Sequence, residues 1–353
     1  MRAEAIIEYG QPLQSTDLPS RAPEGTEVLI RTHHCGVCHS DVHLHDGYFA
    51  LAGGNKLDIR GGRKLPFALG HEIEGEVAAV GPDVTGISPG QRFVIYPWIG
   101  CGQCSTCARG DEHLCAKPRQ LGIQVHGGFA TEVMVPHPRY LIDFGTTDPA
   151  LASTYMCSGI TAFSALKKIG PAGAGDPIAI VGLGGVGMMG VQFARALYPE
   201  APLHVADIDA AKREAALGLG ATAAYDPRDA GAVKALLGAT GGGAHGAIDF
   251  VGAESSLAFA NGALRKGGKA VIVGLFGGGF QMPIAMWPLR AISLIGSFVG
   301  RLDETKEMMA LVRAGKIAPI PVTERPLAAA SQSLDDLREG RVIGRVVLKA
   351  PAA

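Results

Sequence analysis

The chain has 353 residues, 47% hydrophobic and 18% charged, with a formal net charge of −1. That length exceeds one ordinary core and argues for two domains, and the composition excludes large-scale disorder. The balanced charge argues against a nucleic-acid binder, and no run of 18 apolar residues offers a membrane-spanning helix.

The N-terminus, Met1-Arg2-Ala3-Glu4, lacks the apolar centre of a secretory signal, so a cytoplasmic location is expected. Strand-like runs follow at 5–9, 27–32, 73–80, 92–96 and 131–136, broken by Gly81-Pro82 and Pro89-Gly90 turns. A partly open antiparallel β-barrel fits them. Residues 48–65 match neither strand nor helix. With Lys56, Arg60, Arg63 and Lys64 they are expected to form an exposed, mobile loop.

Four of the seven cysteines cluster as Cys101-x2-Cys104-x2-Cys107-x7-Cys115. Four thiolates within 15 residues suit one tetrahedral zinc ion, and Gly100, Gly102 and Gly110 let the loop fold back. An iron–sulfur cluster is the alternative. Ala116 after the last cysteine, and the polar Arg109, Asp111 and Glu112, favour zinc. With four protein ligands the site is closed and structural.

After residue 150 the rhythm changes. A helix at 152–166 precedes alternating strands and helices: strand 178–181, helix 186–197, strand 203–206, helix 210–219, strand 247–250, helix 255–264, strands 270–274 and 293–297. This alternation predicts a doubly wound parallel sheet, an α/β fold. A helix at 304–314 and a strand at 345–348 end the chain.

The run Ile178–Val181 leads into Gly182-Leu183-Gly184-Gly185-Val186-Gly187, a G-x-G-x-x-G with a strand before it and a helix after it. Gly182 allows the tight turn, Gly184 admits a pyrophosphate, and Gly187 lets helix and strand pack closely. Asp207 stands 20 residues beyond Gly187, where a carboxylate accepts hydrogen bonds from the adenosine ribose. The pattern predicts NAD rather than NADP.

A tract at 33–45 holds five His and two Cys: His33, His34, Cys35, Cys38, His39, His43 and His45. Alone it fits a redox CxxC, a local metal site or scattered buried residues. Gly36-Val37-Cys38-His39-Ser40-Asp41, Gly70-His71-Glu72, the four-cysteine loop, Cys157-Ser158-Gly159-Ile160-Thr161 and Gly182–Gly187 then occur in that order. In this the sequence resembles the zinc-dependent medium-chain alcohol dehydrogenases over nearly its whole length, and most nearly the NAD-dependent tetrameric microbial members.

The resemblance implies a GroES-like catalytic domain at 1–153 and 298–353, with a zinc lobe near 98–116, and a Rossmann domain at 154–297. It implies two zinc ions per chain. Cys38, His71 and Cys157 would hold the catalytic ion, an open three-ligand set with a position left for substrate. Glu72 would lie near the metal, and Asp41 would orient a ligand imidazole. Ser40 and His43 would relay a proton. His39, Arg345, Lys212 and Thr161 would contact the cofactor beside Gly182, Gly184, Gly185, Val186, Gly187 and Asp207. Trp98 would line the substrate pocket; Gln120 stands where close relatives carry another aromatic. The implied reaction is hydride transfer between a small primary or secondary alcohol and NAD, giving an aldehyde or ketone. The implied partners are that substrate and further copies of the chain, in a homotetramer or homodimer, without nucleic acid or membrane. A polyol dehydrogenase is the near alternative, and a non-catalytic zinc or nucleotide-binding protein the distant one.

Overall fold

A computed structural model describes residues 1–351. The chain forms two compact units. The first comprises Met1–Tyr48, Asp58–Ile160 and the stretch from Arg301 onward; the second comprises Phe49–Leu57 and Thr161–Gly300.

The first unit is built on a sheet with the order Leu141–Ile142, Arg92–Ile95, Glu72–Val80, Val28–Gly36, Arg345–Lys349, Val322–Pro326. Strand Glu132–Val135 also pairs with Val28–Gly36. The central pairs are antiparallel, and the last two strands run parallel. Along Val28–Ile30 burial alternates, as expected of a strand with one face on the core, and from Thr32 to Gly36 most positions are buried. The change coincides with a register shift against Glu72–Val80, between Thr32 and His34. It carries Cys35 and Gly36 toward the interior, just before the turn to Cys38.

Helix His39–Asp46 follows. It gives no clear signal in the sequence, because its histidines and alternating Val42 and Leu44 form no clean apolar stripe. It stops at Gly47, whose φ of +82° and N–H bond to the His43 carbonyl end it in the left-handed manner suited to glycine.

The second unit holds an all-parallel sheet with the order Ala223–Tyr225, Leu203–Ala206, Ile178–Val181, Ala244–Asp249, Leu264–Ile272, Ser293–Gly296. Its central strands are buried throughout, as in a sheet covered on both faces. Strand Ala223–Tyr225 and helix Ala232–Ala239 were not expected, because three residues of strand and a Gly-rich flank carry little periodic signal. Helix Ala330–Arg338 of the first unit was missed for its high polar content.

Two expectations need correction. Residues 48–65 are not a structureless loop. Tyr48–Ala50 pairs with Lys56–Asp58 around a short turn at Ala52–Gly54. Ala50 packs so closely on Gly277 that a Cβ there would meet the Ala50 carbonyl oxygen at 2.8 Å. The helix at 152–166 is not continuous either. It runs as Pro149–Thr154, a π-helical turn Tyr155–Gly159, and Ile160–Lys168. Residues 155–160 cluster with the first unit, where Gly159 abuts Met308 and Trp98 Nε1 donates to the Met156 carbonyl.

Candidate metal centres and nucleotide loop

Cys38, His71 and Cys157 come from three separate segments and meet in the interior of the first unit. Their ligand atoms lie within 4.8 Å of one another, and all three residues are buried. Cys38 precedes helix His39–Asp46, His71 precedes strand Glu72–Val80, and Cys157 sits in the π-helical turn.

Asp41 fixes the geometry. Its Oδ2 accepts the Cys38 N–H at 2.9 Å, and its Oδ1 contacts His71 Nδ1 at 3.1 Å. That bond leaves His71 Nε2 facing inward, buried and without a hydrogen-bond partner. A buried nitrogen without a partner is costly unless something binds it. Trp98 stands edge-on to the imidazole, with ring centres 5.4 Å apart. Trp98 is buried, 1% exposed, and packs against the imidazole.

The donor set fits zinc. Two thiolates 2.3 Å from a tetrahedral ion lie about 3.8 Å apart. The Cys38 and Cys157 sulfurs are 3.9 Å apart. Their contact lowers the Cys38 thiol well below its usual range and raises Cys157 well above it. Ionising both sulfurs in this dry place calls for a cation. Burial disfavours a charged His71, but Asp41 and Cys38 outweigh it and raise the imidazole.

Glu72 is fully buried beside the ligands. Its carboxylate accepts the Ser158 hydroxyl at 3.0 Å and pairs with the Arg345 guanidinium. Burial raises the carboxyl to about 7 against the pull of Arg345. Arg345 also donates to the Val37 carbonyl at 3.0 Å and is 6% exposed. The structure thus gives Arg345 a partner that the sequence did not suggest. A glutamate beside a ligand and an arginine 273 residues later carry no pairing signal in the chain.

Ser40 and His43 lie three apart on helix His39–Asp46 and therefore share a face. His43 is half-buried, and burial followed by the nearby His39 pushes its imidazole down. His39 itself is exposed at the start of the helix.

The four-cysteine loop is compact. Sulfur separations are 3.5 Å for Cys104–Cys107, 3.8 Å for Cys104–Cys115 and 3.9 Å for Cys101–Cys107. Backbone N–H groups of Cys101 and Lys117 point at the Cys115 sulfur, each at 3.3 Å. Four sulfurs spaced for a tetrahedron leave no vacant position. Gln120 is buried under this loop and donates to the His113 carbonyl.

In the second unit the glycine loop has the form a phosphate needs. Gly182 has φ +87°, and a Cβ on Gly187 would lie 1.8 Å from the Gly182 carbonyl oxygen. Around Gly184 a Cβ would meet nothing within 4 Å, so the cradle is open. Gly185 and Val186 begin helix Gly185–Leu197, whose first N–H groups offer an anion site. Asp207 accepts the Leu183 N–H at 2.6 Å and the Asp209 N–H at 2.8 Å. Lys212 is 4.0 Å from Asp209 on the exposed side of its helix. Thr161 is half-buried in helix Ile160–Lys168. Among the described residues no helix is long and apolar enough to cross a membrane.

The chain is similar to known proteins over nearly its whole length. The alcohol dehydrogenase GroES-like domain matches residues 24–144, and the zinc-binding dehydrogenase domain matches residues 185–314. An NAD-dependent alcohol dehydrogenase of Sulfurisphaera tokodaii is 36% identical over 99% of both chains. One from Saccharolobus solfataricus is also 36% identical, again over 99% of each. The crystal structure of the alcohol dehydrogenase from Aeropyrum pernix superposes with a TM-score of 0.88 at 30% identity, covering 99% of this chain and 100% of that one.

Proposed function

Because the chain belongs to the zinc-dependent medium-chain alcohol dehydrogenases, we propose that Cys38, His71 and Cys157 hold its catalytic zinc, and Cys101, Cys104, Cys107 and Cys115 a structural one. The enzyme is an NAD-dependent oxidoreductase that interconverts alcohols with aldehydes or ketones. One observation carries the ligand assignment: the inward Nε2 of His71 lacks a partner while Asp41 holds its other nitrogen, with two sulfurs at thiolate spacing beside it.

When bound, zinc supplies Lewis acidity toward the alcohol hydroxyl, and NAD supplies the hydride acceptor. The chain's residues do the rest. Asp41 keeps the His71 ring in one tautomer and orientation. Ser40 accepts the hydroxyl proton as it gives up its own, and His43, on the same helix face, carries the proton outward. Glu72, tied to Arg345 and Ser158, holds a carboxylate next to the ligands. In the second unit the Gly182–Gly187 loop receives the pyrophosphate, and Asp207 the adenosine ribose. Arg345, Lys212, His39 and Thr161 are proposed as further cofactor contacts, and Trp98 as a wall of the substrate site.

A homotetramer, or alternatively a homodimer, is the proposed assembly. The outer strand Ser293–Gly296 and the exposed Phe276, Ile284, Leu289 and Leu294 support self-association through the second unit. The proposed location is the cytoplasm, and the proposed substrates are small primary and secondary alcohols.

The test combines metal analysis with a steady-state screen. Two zinc ions per chain, and NADH formation with at least one alcohol class, are expected. A single zinc ion, or an NAD-linked activity that survives loss of Cys157, would sink the ligand assignment.

A further inference from the structure

Asp207 does not stand alone at the end of its strand. Strand Leu203–Ala206 pairs in parallel with Ala223–Tyr225, and Ala206 sits opposite Tyr225. The next residues on each strand are therefore neighbours. One is Asp207, whose N–H donates to the Tyr225 carbonyl at 3.2 Å; the other is Asp226.

Two arginines converge on Asp226. Arg228 grips it with two nitrogens: Nε to Oδ1 at 2.9 Å and Nη2 to Oδ2 at 2.6 Å. The same Nη2 donates to the Ile208 carbonyl at 2.9 Å. Arg213 donates from Nη1 to the Asp207 carbonyl at 2.6 Å and lies 3.3 Å from Asp226 Oδ2. Both guanidiniums are thus within one residue of the ribose-binding carboxylate. A guanidinium in that place is what accommodates a 2′-phosphate in NADP-binding folds. The fork geometry suits phosphate as well as carboxylate.

The patch therefore holds the parts for either cofactor. Asp207, Asp209 and Asp226 face Lys212, Arg213 and Arg228, three charges against three. Asp207 is committed to the backbone N–H groups of Leu183 and Asp209, so it also ties the glycine loop to the turn after its strand. Removing Asp207 would loosen that loop as well as remove a charge. Asp226 makes no such tie to the glycine loop. Its carboxylate serves the arginines and the Arg228 N–H of its own turn, at 3.0 Å.

We propose that Asp226 is a positioning residue for cofactor choice: by holding Arg213 and Arg228 it keeps a latent 2′-phosphate subsite closed. The inference rests on the reading of the glycine loop and Asp207 as the adenosine-ribose site. Neutralising Asp226 frees two guanidiniums beside the 2′-hydroxyl and shifts the patch by one positive charge.

The test uses the full chain and two ligands that differ in one group, ADP-ribose and 2′-phospho-ADP-ribose, measured by titration calorimetry. Asp226→Asn keeps an acceptor for the Arg228 N–H and removes the charge; Asp226→Ser is the second variant should Asn fold poorly. The affinity ratio is expected to move toward the 2′-phosphorylated ligand by about tenfold or more, the scale of one charge-assisted hydrogen bond. Adding Arg213→Ala and Arg228→Ala to that variant is expected to abolish the gain. A merely structural role would weaken both ligands alike and leave the ratio where it was. An unchanged ratio in the folded variant overturns the proposal, as does a gain that persists without both arginines. If wild-type chain does not bind ADP-ribose at all, the nucleotide-site reading fails first, and the inference with it.

Discussion

The two cysteine-bearing centres of the first unit differ in almost every respect but chemistry. The four-cysteine loop draws all its sulfurs from one segment, the outermost 14 residues apart. Three of its cysteines are only half-buried. The other centre joins Cys38 to Cys157 across 119 residues, with every ligand buried. A short loop loses little chain entropy on closing, so a local centre can organise itself around its ion. The distant centre is assembled by the sheet and the π-helical turn, and its ion adds to a frame that already exists. In the proposed assignment one site would hold a lobe together, and the other would serve the chemistry.

The largest test of that contrast is a pair of alanine replacements. Cys157→Ala is expected to cut turnover by about three orders of magnitude or more, at least the cost of losing a principal charge-stabilising group. Zinc content should fall from two ions to one, with near-native circular dichroism. Cys104→Ala should also cost one zinc ion, but its main readout is thermal. Loss of a structural ion is expected to lower Tm by about 10 °C or more. A Cys157 variant that melts as early as the Cys104 variant would erase the distinction.

A smaller effect sharpens it. Asp41→Asn leaves all three ligands in place and weakens only the grip on His71 Nδ1. Affinity for the catalytic ion is expected to drop by about 10- to 100-fold in a chelator competition. The structural ion should be retained throughout. Loss of both ions together would mean that Asp41 supports the fold rather than the site.

The smallest effect concerns the proton path, which only the open centre needs. Burial lowers the His43 imidazole, so its neutral, proton-accepting form persists to more acidic pH than an ordinary histidine allows. Wild-type turnover should fall only as pH drops through that lowered value. His43→Gln is expected to reduce turnover at pH 6–7 by about tenfold, the loss shrinking as pH rises and hydroxide or buffer takes the proton. Ser40→Ala should be more severe, because it removes the first link. With chemistry shown to be rate-limiting by a deuterium isotope effect, an unaltered pH profile for His43→Gln would refute the relay.

The same contrast explains what could be read from the chain. The four-cysteine loop was legible from spacing alone, because its ligands are local. The glycine loop was legible because strand, turn and helix stand in one continuous stretch. The distant triad was not legible from spacing: only the family resemblance separates Cys38 from Cys35, and His71 and Cys157 are single residues in unremarkable surroundings. Pairings made by the fold were beyond reach altogether. The Glu72–Arg345 ion pair and the Asp226–Arg228 clamp lie in side-chain directions that no period encodes. Elements were lost where they were shortest, as at Ala223–Tyr225, or most polar, as at Ala330–Arg338.

The turn at Tyr155–Gly159 has a consequence for how the chain tolerates length changes. A π-helical turn holds one residue more than the α-helical turn it replaces, and that extra residue is taken up inside the turn that carries Cys157. Deleting one residue from the turn would let it close as α, with its backbone bonds intact. The side chains of the turn would then be re-aimed, and Cys157 would leave its position beside Cys38. A single deletion here should therefore cost the buried cysteine–histidine centre more than it costs the helix, which would itself be more regular.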